Sequence, residues 1–294
     1  MTDAAVTQIL RTAAQARRWR DSLAHGVRVG FVPTMGYLHE GHLSLIREAR
    51  RRVPQGTGHV VLSIFVNPTQ FGPNEDLDRY PRDEVGDLQK AAEAGADIAF
   101  CPLDPNEMYS KASATWVEVP TLATGLCGAS RPGHFRGVCT VVTKLWGLVR
   151  PDVGVFGQKD FQQLAILRRL HADLFLGGEI VGMPIVREPD GVAMSSRNAN
   201  LDPQSRLDAR AIPRFMAEVR RRFTEAGLRA RDELLAEAAE RLAPGVIDYV
   251  QLVDAENLQP IERVERPALV AVAVQFPGAR LIDNTVLTPS RTID

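Results

Sequence analysis

Hydrophobic residues follow two different textures along this chain, and the change comes near residue 186. Before it, short runs are apolar at nearly every position and bounded by turn residues: "VRVGFV" (27–32), "HVVLSIFV" (59–66), "DIAFC" (97–101), "DVGVF" (152–156) and, more weakly, "EIVGMPIV" (179–186). Between them, apolar positions recur at helical spacing in "HLSLIREARRR", "DEVGDLQKAAEAG", "GVCTVVTKLWGLV" and "FQQLAILRRLHADL". Strands that are apolar throughout and alternate with helices build a parallel sheet covered on both faces. The pattern predicts an α/β domain over 1–185, with right-handed crossovers and any ligand outside the carboxyl ends of its strands. The N-terminal stretch "MTDAAVTQILRTAAQARRWRDSL" reads as an amphipathic first helix.

Beyond 186, "PQSRLDARAIPRFMAEVRRRFTEAG" and "ARDELLAEAAERLA" read as charged amphipathic helices. "VIDYVQLVD", "ALVAVAVQF" and "ARLIDNTVL" then read as the strands of a small sheet. A smaller, separate α+β domain is expected over 186–294. A chain of 294 residues is long enough for this arrangement.

Composition narrows the function classes. A net charge of -1 gives no overall pull toward nucleic acid or an anionic membrane, so any anion site is local. The longest apolar runs fall far below the ~20 residues that span a bilayer, and the N-terminus lacks the apolar stretch of a signal peptide. Cys101, Cys127 and Cys139 are too few and too scattered for a disulfide framework or a zinc site. A cytoplasmic protein is expected. Lysine occurs only at Lys90, Lys111, Lys144 and Lys159 in a chain that otherwise prefers arginine, which draws attention to each one.

Four segments carry candidate chemistry. In "VPTMGYLHEGHLSLI" (32–46), a strand leads through a glycine-bearing loop into a helix, and His39 and His42 stand three apart at the junction. Unpaired N–H groups and the dipole at a helix N-terminus favour an anion, and two imidazoles on one face suit a phosphate chain; the competing reading is a helix cap with incidental histidines. Zinc is less well served, because the H-E-x-x-H pattern needs histidines four apart. "VFGQKDFQQ" (155–163) repeats the arrangement: Gly157 turns the chain, Lys159 offers a point charge, and Asp160 either accepts from ribose hydroxyls or caps the helix. "VAMSSRNANL" (192–201) gathers two hydroxyls and a guanidinium, which form either a phosphate clamp or a plain turn. "FVNPTQFGPNEDLDRYPRD" (65–83) places the amides of Asn67 and Gln70 just after a strand, followed by an acidic stretch that either holds magnesium or, the favoured reading, is a solvated loop.

Together "VPTMGYLHEGH", "SIFVNPTQFG", "EDLDRYPR", "RPGHFRGV", "VFGQKDFQQ" and "MSSRN", in this order and spacing, resemble the pantoate–β-alanine ligase (pantothenate synthetase) family over nearly the whole chain. "HEGH" looks like the HxGH element of the wider nucleotidyltransferase group, and "MSSR" like a relative of its KMSKS loop. The resemblance implies a Rossmann-like nucleotide domain, a smaller C-terminal lid domain and a homodimer. It also implies the reaction: ATP and pantoate give pantoyl adenylate and pyrophosphate, then β-alanine displaces AMP to form pantothenate, with Mg2+ accompanying ATP. Neither nucleic acid nor a membrane is an expected partner.

By the same resemblance His39, His42 and Lys159 are catalytic, with His42 the proton donor. ATP would be held by Met35, Gly36, Tyr37, Leu38, His39, Glu40, Gly41 and His42. Further nucleotide contacts are implied for Gly157, Gln158, Lys159, Asp160, Val186, Met194, Ser195, Ser196 and Arg197. Gln70 and Gln163 carry over as pantoate ligands. Neutral amides suit that task, because they bond hydroxyls and carboxylate without neutralising the nucleophile. His134 and Arg136 belong to the family pattern without an assigned role, and the magnesium ligands are not legible. The "GPNEDLDRYPRD" loop and the C-terminal domain are the candidate closing elements.

Three alternatives stay open on sequence. Another HxGH nucleotidyltransferase would act on a phosphorylated small molecule and leave its nucleotide on the product. An RNA-binding module descended from a synthetase would need a basic, aromatic surface, which the charge does not favour. A non-catalytic scaffold would have little reason to keep both histidines, Lys159 and the serine pair.

Overall fold

The computed structural model describes residues 8–73 and 75–289; the first residues of the expected N-terminal helix, and Asn74 of the acidic loop, lie outside them. In chain order the elements are β1 (Gln8–Leu10), α1 (Ala13–Ser22), β2 (Arg28–Thr34), α2 (Glu40–Arg52), β3 (Gly58–Ile64), α3 (Glu84–Glu93), β4 (Ile98–Phe100), α4 (Leu126–Ser130), α5 (His134–Val149), β5 (Val153–Gly157), α6 (Phe161–Asp173), β6 (Glu179–Met183), α7 (Pro203–Asp208), α8 (Ala211–Thr224), α9 (Arg231–Leu234), α10 (Ala238–Arg241), β7 (Val246–Asp254), β8 (Ala268–Phe276) and β9 (Ala279–Leu287). Short 3-10 turns include Pro68–Gln70, Gln158–Asp160 and Ser196–Asn200. Two compact units result. One comprises the described residues up to Val119 with Pro132–Gln158 and Ile166–Val186; the other comprises Pro120–Arg131, Lys159–Ala165 and the described residues from Arg187 onward.

The first unit is the expected α/β layer structure. Its six strands pair in parallel in the order β1-β4-β3-β2-β5-β6. Alternation along the strands divides the covering helices between the two faces. Val32, Val60, Leu62, Val153 and Val155 form one core with Leu45, Ile46 and Ala49 of α2 and Ala91 of α3. Gly154, between two of those valines, faces the other way: a Cβ there would lie 2.5 Å from the ring of Trp146 on α5. Glycine at 154 is therefore what lets α5 seat its tryptophan on the sheet.

The N-terminal helix is shorter than its apolar pattern predicts. Gln8–Leu10 instead adds a parallel edge strand beside β4. Thr12 then starts α1 with a capping box, its hydroxyl accepting from the Gln15 N–H while the Gln15 side chain accepts from the Thr12 N–H. The long helical pattern over 203–227 also divides, into α7 and α8. Pro213 has no N–H to give the carbonyl four residues back, so the helix restarts just before it and places proline in the first turn, where the missing donor costs nothing.

In the second unit β7, β8 and β9 form an antiparallel sheet in that order. β8 is apolar and buried almost throughout, unusual for a strand in a small antiparallel sheet. The reason is cover on both sides. Val270, Val272, Val274 and Phe276 face Ile212, Phe215, Met216 and Val219 of α8. Leu269 and Ala271 pack with Leu126 of α4, and with Phe161 and Ala165 of α6.

An ionic cluster ties the turn after Arg187 to α7 and α8. Asp190 accepts from Arg206 at 2.9 Å and from Arg210 at 3.1 Å. The Arg206 guanidinium holds the Asp190 carboxyl at about 2, below its ordinary 3.8. A depressed carboxylate contributes stability above its unfolded-state pKa and loses it as pH falls toward the folded value. Asp190→Asn should therefore lower stability by on the order of 2 kcal/mol at neutral pH. The gap to the parent should close between about pH 4 and pH 2, read from urea midpoints across that range. A pH-independent gap would assign the loss to shape rather than charge.

Candidate active site

The loop between β2 and α2 is held from below. The Thr34 hydroxyl donates to the Ser63 carbonyl at 2.8 Å and accepts from the Gly36 N–H at 3.2 Å. The chain then passes through the left-handed region at Gly36 (φ +83°) and Tyr37 (φ +52°). A Cβ on Gly36 would lie 2.9 Å from Ile64 and 3.0 Å from Asp87, so both the backbone angle and the space call for glycine. Asp87 of α3, 1% exposed, accepts from two consecutive loop amides, Tyr37 at 2.7 Å and Leu38 at 2.6 Å. One turn further along α3, Lys90 donates to the Leu38 carbonyl at 3.2 Å. Burial pushes the Asp87 carboxyl up, and the two amide bonds oppose that shift.

The histidine pair itself caps α2. His39 Nδ1 accepts from the Gly41 N–H at 3.1 Å, and His42 Nδ1 accepts from the His39 N–H at 3.4 Å. The two rings lie 4.1 Å apart between centroids. A backbone N–H only donates, so each Nδ1 is an acceptor and each ring carries its proton on Nε2. The helix start thus makes both Nε2–H groups hydrogen-bond donors. Glu40, also in the motif, forms an ion pair with Arg47 along the same helix.

Three neighbours hold Gln70. Its Nε2 donates to Met35 Sδ at 3.0 Å, its Oε1 accepts from Asn67 Nδ2 at 3.1 Å, and its carbonyl accepts from His134 Nδ1 at 2.8 Å. Asn67, also buried, donates in addition to the Gly137 carbonyl at 3.2 Å. Gly137 permits this approach, since a Cβ there would meet the Thr69 carbonyl at 2.4 Å. Arg136 turns elsewhere, stacking over Trp116 at 4.9 Å and pairing with Glu118. Met35, Gln70 and His134 therefore belong together, and Arg136 does not join them.

In the second unit, Lys159 and Ser195 line one pocket with Val192, Ala193 and Asp283. Lys159 Nζ lies 3.8 Å from Asp160. Ser195 begins the turn Ser196–Asn200, its hydroxyl accepting from the Arg197 N–H at 3.3 Å, and Asn198 ties that turn to Glu188 and the Ala193 carbonyl. Gln162, beside the half-buried Gln163, donates to the Leu122 and Gly125 carbonyls at 2.9 Å each. Gly157 closes β5, Gln158 opens the turn that carries Lys159 and Asp160, and Val186 follows β6. Met194 directly precedes Ser195.

Sequence reading missed Asp87. Its signal was a carboxylate on the face of α3 that also carries the buried Ala91, where an amphipathic helix should be apolar.

A parallel α/β sheet whose β2–α2 loop sets two histidine donors at a helix N-terminus is a framework on which nucleotide-dependent enzymes are built. A sequence profile of the pantoate-beta-alanine ligase family matches residues 8–286. Pantothenate synthetase of Solidesulfovibrio magneticus is 59% identical over 263 residues, covering 88% of this chain and 90% of its own. That of Myxococcus xanthus is 52% identical over 284 residues, covering 95% and 96%. Among solved structures, pantothenate synthetase from Thermus thermophilus superposes with a TM-score of 0.88 at 45% identity, over 96% of this chain and all of that one. Pantoate-beta-alanine ligase from Francisella tularensis, complexed with beta-gamma ATP and beta-alanine, gives a TM-score of 0.79 at 32% identity, over 95% and 97%. The chain belongs to the pantoate–β-alanine ligase family, and it is an ATP-dependent, amide-forming ligase.

Replacing Asp87 by alanine leaves the buried Leu38 N–H without its acceptor and the left-handed loop without its brace. Asp87→Ala should lower kcat/KM for ATP about tenfold or more, with a smaller loss for Asp87→Asn, which keeps one acceptor oxygen. Steady-state kinetics with varied ATP checks this; wild-type values for the alanine variant would remove Asp87 from any positioning role.

Proposed function

We propose that the chain joins pantoate to β-alanine through a pantoyl-adenylate intermediate, with ATP as the activating substrate and AMP and pyrophosphate as products. A carboxylate is a poor acyl donor because oxide is a poor leaving group, and adenylation substitutes AMP. In the first step a pantoate carboxylate oxygen attacks the α-phosphorus, the bond to the bridging oxygen of pyrophosphate breaks, and charge grows on the phosphoryl oxygens. Positioning and charge stabilisation supply most of the catalysis of such a step.

The observation that carries the reading is the capping of α2 by its own histidines, which makes His39 and His42 Nε2 donors at a helix N-terminus. His42 donates to the phosphate chain as it gains charge, with His39 beside it. Gly36, Tyr37, Leu38, Glu40 and Gly41 supply the nucleotide's main-chain surroundings along with Met35. Lys159 brings its ammonium to the α-phosphate. Ser195, Ser196 and Arg197, with Met194 before them, hold the β- and γ-phosphates. Gly157, Gln158, Asp160 and Val186 contact the nucleoside.

Gln70 and Gln163 bind pantoate as neutral amides. The fixed Gln70 supports this choice: Asn67, Met35 and His134 orient it before substrate arrives. In the second step the β-alanine amine attacks the acyl carbon, AMP leaves with the bonding electron pair, and the amine loses a proton.

Mg2+ enters as the partner of ATP. Such an ion is carried on phosphates and water with few protein ligands. Residues from 186 onward act as the lid domain that keeps water from the adenylate. The working form is a cytoplasmic homodimer. No described helix is long and apolar enough to cross a membrane.

The test is pantoate-dependent exchange of labelled pyrophosphate into ATP, with magnesium and without β-alanine. Wild-type protein should exchange. Lys159→Ala and His42→Ala should each remain folded and lose roughly 10²–10³ in exchange rate, the usual cost of a transition-state charge contact. Near-normal exchange in either variant would refute the role given to that residue, and absence of both exchange and pantothenate in folded wild type would refute the reaction.

A further inference from the structure

We propose that Asn284, on β9, is a positioning residue for Lys159. The inference rests on the reading above that Lys159 meets the nucleotide phosphates. A lysine ammonium rides on a flexible four-carbon stem, so where it arrives depends first on where its backbone is held. Lys159 belongs to the three-residue 3-10 turn Gln158–Asp160, which leads straight into α6. A side-chain restraint on this backbone comes from residue 284. Asn284 Nδ2 donates to the Lys159 carbonyl at 2.9 Å, and Asn284 is only 7% exposed.

Asn284 is braced in turn. Its backbone N–H donates to Asp283 Oδ1 at 2.8 Å. Asp283, 2% exposed, accepts both arms of Arg187, at 2.7 Å and 2.9 Å, and Arg187 also donates to the Gly191 carbonyl at 3.0 Å. The register of β9 on β8, Asp283 opposite Val272 and Asn284 opposite Ala271, fixes both residues against the central strand. A continuous set of bonds therefore runs from the turn at Gly191 through Arg187, Asp283 and Asn284 to the Lys159 backbone. It ends beside the pocket that Lys159, Ser195 and Asp283 line together. An uncharged donor suits the last link, because it restrains the lysine backbone without adding a second cation beside the ammonium.

The experiment is a double-mutant cycle on pyrophosphate exchange with Asn284→Ala, Lys159→Ala and the double variant, accompanied by amide hydrogen exchange across 157–162. Asn284→Leu is run beside them because it removes the donor while filling the volume, so a folding defect in the alanine variant does not end the test. The expected result is an approximately tenfold lower exchange rate for the Asn284 variants, little change in KM for pantoate, and faster amide exchange confined to the Lys159 turn. The double variant should be no slower than Lys159→Ala, since a positioning residue has nothing left to position. Multiplying losses, or wild-type exchange in a folded Asn284→Leu protein, would overturn the proposal. Should Lys159→Ala exchange normally, the role of Lys159 falls and the proposal falls with it. Amide exchange at the turn would then tell whether Asn284 still restrains the backbone, which separates that failure from a failure of the tether itself.

Discussion

Parallel pairing is the constraint from which the rest of this molecule follows. Six strands that run in one direction bring all their carboxyl ends to the same edge of the sheet, and each connection must leave from that edge to reach the next helix. The connections leaving β2 and β3 carry the histidine pair and Gln70, and the one leaving β5 carries Lys159. Such loops have a particular difficulty. Their backbone groups are partly buried, yet the side chains that would ordinarily satisfy them are wanted for a ligand.

A similar solution recurs at these three connections: a polar side chain from a distant element satisfies the loop's backbone. Asp87 of α3 takes the amides of Tyr37 and Leu38, His134 of α5 donates to the Gln70 carbonyl, and Asn284 of β9 donates to the Lys159 carbonyl; in the reverse sense, the loop residue Asn67 reaches the Gly137 carbonyl of α5. In these contacts a carboxylate meets N–H groups, and amide or imidazole N–H groups meet carbonyls, so donor and acceptor match each time. Asp87, Asn67 and Asn284 are themselves buried. Pre-organisation here is a matter of satisfied polar atoms rather than of tight apolar packing alone.

That division explains what the sequence made legible. The five apolar runs before 186 and the three after it are strands in the structure, because burial on a sheet demands continuous or alternating apolar residues whatever the partners are. The loop motifs were legible because glycine, histidine and lysine at a strand-to-helix junction imply chemistry from local spacing alone. The supports were not. Asp87 lies 50 residues from the Tyr37 amide it holds, and Asn284 lies 125 residues from Lys159, so nothing in their own neighbourhoods marks them. The edge strand β1 was hidden for another reason. With three residues it has too little length for a period, and its apolar positions continue smoothly into α1.

Least legible was the membership of two short segments. Pro120–Arg131 and Lys159–Ala165 fold with the C-terminal unit, although in sequence they lie among the elements of the parallel sheet. The reason is the second face of β8. Leu269 and Ala271 need apolar cover that α8 cannot give from the opposite side, and Leu126, Phe161 and Ala165 provide it. Burial of that face has a chemical consequence. Phe161 is two residues from Lys159, so the contact that completes the small core also draws the lysine turn onto the framework that holds Ser195. Lysine and serine donors thereby share one rigid support, while the histidine donors share another with Gln70. Each set keeps its internal geometry through its own core, and the lysine turn takes its order from α6, which it opens, and from the packing of Phe161 and Ala165 on β8.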